Sequence, residues 1–128
     1  MPILSDFTTV TDGSEFLFNG RVLNVDFHTG GRHNTEALLD IAAFGGYRAG
    51  DRNMLFRVRL NGRLLPTISA RRWQSGADAF APDRMNVVIP PDVLRSSGAN
   101  TLRIEPSYEE TRDYGWIGPV ICHFHQDT

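Results

Sequence analysis

The chain contains no lysine: all 13 of its basic side chains are arginine, and they face 15 acidic ones for a net charge of −2. Coding bias accounts for that preference more simply than a recognition role. A balanced charge leaves no electrostatic footprint for nucleic acid or an anionic membrane surface, so neither is expected as a partner. Cysteine is almost as scarce. The single Cys122 excludes an internal disulfide, and its neighbours Val120, Ile121 and Phe124 mark it as a small hydrophobe packed in a strand rather than a reactive thiol. No apolar run approaches the roughly 20 residues of a membrane-spanning helix. Residues 1–11 lack the basic start and apolar core of a secretion signal, so a cytoplasmic location is the expectation, although a mature chain with its leader removed reads the same way. Repeats, low-complexity tracts and linkers are missing too. One domain is therefore expected over residues 1–128, with residues 1–12 as a loosely ordered arm or an edge strand.

What is present points to β structure. At 128 residues, 41% apolar and 22% charged, the chain is long enough to bury a core without disulfides or metal. Twelve glycines, seven prolines and eight phenylalanines suit short strands joined by tight turns. Two Asn-Gly pairs, Asn19-Gly20 and Asn61-Gly62, supply the positive φ angles of two-residue hairpin turns. The first predicts a hairpin from Phe16-Leu17-Phe18 into residues 21–27, where Leu23, Val25 and Phe27 share one face. The second predicts a hairpin from residues 55–60 into 63–68, with Phe56, Val58 and Leu60 inward and Arg57 and Arg59 outward. Residues 36–44 suit a short helix or a strand buried on both faces, and the β neighbourhood favours the strand. Residues 85–89, 101–105 and 116–125 complete the set. Between them, Pro90-Pro91-Asp92 stops a strand and lets Val93 and Leu94 cap the core. Residues 73–82 and 108–114 read as loops. About eight strands without a long helix predict an all-β antiparallel sandwich.

Particular segments also carry a family likeness. Val58-Arg-Leu-Asn-Gly-Arg63, followed by Asn86-Val-Val-Ile-Pro-Pro-Asp-Val-Leu94 and Gly98-Ala-Asn100-Thr-Leu-Arg-Ile104, resembles the galactose-binding-domain-like jelly rolls. These include sugar-binding domains that accompany glycoside hydrolases and small stand-alone prokaryotic proteins. The likeness runs from about Leu55 to Ile104. It implies a jelly-roll β-sandwich, a fold whose members often bind a glycan and sometimes hold a structural calcium. The matching residues are turn and core residues, so neither ligand is carried across residue by residue.

Candidate chemistry is sparse. Aromatic rings in loops beside arginine suit saccharides, whose C–H faces stack on indole while their hydroxyls take hydrogen bonds. This singles out Trp73 with Arg72, Tyr47 in the Gly-rich stretch 45–50, Trp116, and His33. Trp116 opens an apolar strand and suits the core better than a ligand site. His123 and His125 point the same way on a strand, about 7 Å apart, and offer two ligands to a metal that needs more. The simpler reading is two histidines at a strand end. Glu109, Glu110 and Asp113 offer oxygens to calcium, but their spacing matches no calcium loop and suits a solvated surface. No nucleophile elbow or Cys-His arrangement is present. The leading expectation is a non-catalytic binding module, with carbohydrate as the first ligand class and no cofactor. The alternatives are an assembly protein that forms homo-oligomers or docks a protein, and a small accessory enzyme of a biosynthetic pathway.

Overall fold

The computed structural model describes residues 3–12, 15–18, 21–30, 32, 34–46, 53–72, 83–107 and 114–127. Among these are ten strands and no helix: β1 (Ile3–Thr11), β2 (Glu15–Phe18), β3 (Leu23–Phe27), β4 (Ala37–Gly45), β5 (Met54–Leu60), β6 (Arg63–Leu64), β7 (Ile68–Ala70), β8 (Asp83–Ile89), β9 (Asn100–Pro106) and β10 (Tyr114–Asp127). They build two five-stranded antiparallel sheets. One runs β1-β10-β4-β8 with β2 also paired to β10; the other runs β3-β9-β5-β6 with β7 also paired to β5. The chain passes repeatedly from one sheet to the other, as a jelly-roll sandwich requires.

The alternation read from sequence is the packing found. Phe56, Val58 and Leu60 of β5 and Leu102 and Ile104 of β9 are fully buried, opposite Leu39, Ile41 and Ala43 of β4. The segment expected as a strand at 36–44 forms β4 (Ala37–Gly45), and Cys122 sits in the core. Burial in this apolar setting pushes the Cys122 thiol up from 9.0 to about 12. At the second Asn-Gly pair, Asn61 (φ 52°) and Gly62 (φ 81°) form the two left-handed positions of a hairpin turn between β5 and β6. The returning arm is broken around Pro66, which lacks an N–H for the ladder. It resumes as β7 against Met54, Leu55 and Phe56.

The first expected hairpin does not exist. β2 pairs with the start of β10, while β3 lies in the opposite sheet against β9. Asn19 and Gly20 themselves lie outside the described residues. Asn-Gly chemistry favours a reversal but does not choose the partner strand, and here Leu17 is buried on one sheet and Leu23 and Phe27 on the other.

A hydrogen-bond hub closes the end of the sandwich where β4 begins and β5 finishes. Asn100 is fully buried, and its Oδ1 accepts from Asn61 Nδ2 (2.9 Å) and from the Arg95 backbone N–H (2.8 Å). Asn61 also donates to the Val93 carbonyl (2.8 Å) and accepts from the Thr101 N–H (2.9 Å). These bonds tie together the β5–β6 turn, the post-β8 turn and the start of β9. Val93 and Leu94 are buried over the core end, as their sequence position predicts.

Candidate functional site

At the other end, β4 finishes and β10 begins, side by side, with Gly45 opposite Gly115 and Phe44 opposite Trp116. Gly45 also bridges Arg72, and its N–H donates to the Arg71 carbonyl at 2.8 Å. The Gly46 N–H donates to the Tyr114 carbonyl at 2.7 Å. Here the backbone must come close. A Cβ on Gly46 would fall 2.3 Å from the Tyr114 ring, and one on Gly45 would fall 2.8 Å from Arg72 Cγ and 2.7 Å from Met54 Cβ. The two glycines therefore let an aromatic ring and an arginine stem lie directly on the backbone of this sheet end.

The side chains gathered here are aromatic and cationic. Trp116 stacks on Phe44 with ring centroids 4.7 Å apart and planes 19° from parallel. Tyr114 meets Trp116 edge-on at 5.8 Å and 76°. All three rings are partly exposed on the outer face of the sheet. Arg72 is buried to 8% exposure, and its Nη1 donates to the Gly46 carbonyl at 3.3 Å. Next to it, Arg71 is held by Asp83 through its backbone N–H (2.8 Å) and its Nε (2.9 Å). An indole and a phenyl ring stacked across two strands can offer a flat apolar surface, while Arg72 packs with Met54 on the inner side of Gly45 and its guanidinium is held on the Gly46 carbonyl.

Of the residues singled out from sequence, Arg72 and Trp116 meet at this end. Trp116 belongs to the outer face rather than the core. The cause is a bulge: Ile117 pairs with Ala43 and Val120 with Ile41, so β10 carries one extra residue across Gly118-Pro119. Ile117 and Val120 thus both point inward, and Trp116 turns out. Tyr47 and Trp73 lie outside the described residues, although their neighbours Gly46 and Arg72 belong to this same end. His33 also lies outside them, and its neighbours Arg32 and Asn34 sit at the far end of the sandwich, with the Asn100 hub. Sequence reading missed Phe44 and Tyr114. For Tyr114 a signal was available, because positions 114 and 116 of one strand share a face.

His123 is exposed and His125 partly so, both on the outer face of the same sheet, with His123 6.2 Å from the Phe7 ring. They border a cavity of about 520 Å³ shared with Asp6, Glu36, Leu38 and Val88. Among the described residues no group of three or more His, Cys, Asp or Glu side chains is placed to hold a metal ion. Glu109, Glu110 and Asp113 lie outside the described residues. No helix among those residues is long and apolar enough to cross a membrane.

No protein-family model and no curated protein matches the chain. Solved structures do. The fold is shared with a domain of BtGH115A, a family GH115 4-O-methyl-alpha-glucuronidase with specificity for decorated arabinogalactans (TM-score 0.58, 13% identity, 91% of this chain on 16% of that one). It is shared likewise with dimeric latent PorU from Porphyromonas gingivalis (TM-score 0.59, 13% identity, 99% of this chain on 13% of that one). A third match is the ANX1 ectodomain from Arabidopsis thaliana (TM-score 0.52, 17% identity, 84% of this chain on 28% of that one). The chain thus spans less than a third of each of these proteins. At these identities the likeness is one of fold, an all-β antiparallel sandwich.

Proposed function

We propose that the protein is a non-catalytic binding module for carbohydrate, with its ligand seated at the end where β4 meets β10. The observation that carries this reading is the partly exposed Trp116–Phe44 stack, flanked edge-on by Tyr114. Saccharides combine apolar C–H faces with a dense set of hydroxyls, and a partly exposed aromatic stack complements those C–H faces. The site needs little rearrangement, because Gly46 lets the Tyr114 ring rest directly on backbone. Trp73 and Tyr47 extend the ligand set on sequence grounds, since they follow Arg72 and Gly46 directly. Sharing a fold with a domain of a glucuronidase specific for decorated arabinogalactans makes decorated arabinogalactans sensible first probes.

The test is a glycan array probed with the wild type and with Trp116→Ala. Retention of a defined set of glycans by the wild type, lost in the variant, is the expected result. An array without signal, or one unchanged by the substitution, sinks the proposal. One observation favours a second reading, assembly into homo-oligomers: Phe7 is 62% exposed on β1, an edge strand. Light scattering after size exclusion decides it, because a monomer at high concentration excludes that role.

A further inference from the structure

The hub end of the sandwich, remote from the aromatic stack, carries a second cavity of about 500 Å³. Three arginines line it, each from a different segment: Arg32 ahead of β4, Arg63 at the start of β6, and Arg95 after β8. Ser96 and Ser97 add hydroxyls, and Leu60, Val93 and Leu94 form part of its wall. We propose that this cavity binds a tetrahedral oxyanion of the phosphate class, free or as a monoester.

Charge is the first argument. Four arginines elsewhere on the described surface sit beside carboxylates: Arg59 and Arg103 by Glu105, Arg71 by Asp83, and Arg84 by Asp40. Among the described residues, none of the three cavity arginines has a carboxylate within ion-pair distance. The one acid lining the cavity, Asp92, is engaged elsewhere. Its carboxylate accepts from Asn34 Nδ2, and its backbone N–H donates to Asn34 Oδ1 at 2.8 Å. The cavity therefore keeps a net positive lining that complements a doubly charged anion.

Preorganisation is the second. Arg32 Nε donates to the Leu94 carbonyl, which fixes the stem and leaves the terminal N–H groups for a ligand. Arg95 Nη1 donates to the Ala99 carbonyl at 3.2 Å, and the Arg95 carbonyl accepts from Thr29 Oγ1 at 3.3 Å. The loop carrying Arg95 is pinned again by Asn100, and the turn before Arg63 by Asn61. Asp92 holds a left-handed φ of 71°, which Asn34 braces on both sides. Geometry chooses the ion. One guanidinium fork satisfies a planar carboxylate, whereas three arginines from three segments lining one cavity suit an ion with several equivalent oxygens.

Calorimetric titration of the whole protein at constant ionic strength tests this, with inorganic phosphate, inorganic sulfate, glucose 6-phosphate and acetate as probes. Saturable binding of phosphate and sulfate, with acetate far weaker, is expected. Tighter binding of glucose 6-phosphate than of inorganic phosphate assigns an ester ligand, and the reverse order assigns the free ion. Arg63→Gln and Arg95→Gln, both at exposed side chains, should each weaken phosphate roughly tenfold or more while leaving Tm unchanged. Arg63→Lys should recover part of the loss. Absence of saturation with every oxyanion, equal binding of acetate, or wild-type affinity in both glutamine variants would overturn the proposal.

Discussion

Replacing Asn100 with alanine is the sharpest perturbation of the fold's closed end. The side chain is fully buried, and its Oδ1 accepts two hydrogen bonds, from Asn61 Nδ2 and from the Arg95 N–H. Truncation strands both donors in a part-buried setting, at about 1 kcal/mol each. It also leaves a small void, worth about another 1 kcal/mol. One effect runs the other way. Asn100 Nδ2 is buried without a hydrogen-bond partner, so deleting it removes an existing penalty of similar size. The net expectation is a loss of about 2 kcal/mol. With an unfolding entropy of about 2.1 cal/mol/K per residue, that lowers Tm by roughly 7 °C in a domain of 128 residues. Calorimetry of Asn100→Ala, Asn61→Gly and the double variant reads it out. Asn61→Gly deletes the side chain but keeps the left-handed φ of 52° accessible. The two losses should fall short of additive, because both substitutions break the same bond. Strict additivity, or a shift below 2 °C in Asn100→Ala, would refute the hub.

Three further outcomes follow from the packing. Gly46→Ala drives a methyl into the Tyr114 ring, so it should cost about 1–3 kcal/mol and change the near-ultraviolet circular dichroism of the Trp116 cluster; an unchanged spectrum contradicts the close contact. The Cys122 thiol, raised from 9.0 to about 12, stays protonated in the folded state while the unfolded chain ionises. Stability present below pH 9 is therefore lost as pH rises, by about 1 kcal/mol between pH 9 and 10. Chemical denaturation should show that slope in the wild type and not in Cys122→Val, and native Cys122 should resist a thiol reagent at pH 8. Chelation should leave Tm where it is, since His123 and His125 by themselves supply only half of a structural zinc site; a fall of several degrees would mean a bound ion.

Local chemistry made part of this fold readable. The β5–β6 turn, the inward faces of β5 and β9, the buried β4 and the cap at Val93 and Leu94 all follow from turn residues and from a period of two. What escaped depends on partners distant in sequence. Asn19-Gly20 signals a reversal, yet β2 pairs with residues 114–117 and β3 with β9. Simple alternation puts Trp116 on the same face as Val120, Cys122 and Phe124, inside the core. The bulge at Gly118-Pro119 breaks that phase, and only pairing with β4 reveals it. The same register brings Phe44 under Trp116. Even the glycines of 45–46 read as loop residues until Tyr114 and Arg72 are seen resting on them.

The most direct test of saccharide binding at the β4–β10 end uses Trp116 as its own reporter. Trp73→Phe keeps an aromatic ring at that position and leaves Trp116 as the sole indole, so the emission reports on Trp116 alone. Titration with the glycans selected on the array should give a saturable change in Trp116 emission and protect it from acrylamide quenching. Emission and quenching that stay flat through saturating glycan would place the ligand elsewhere and contradict the account.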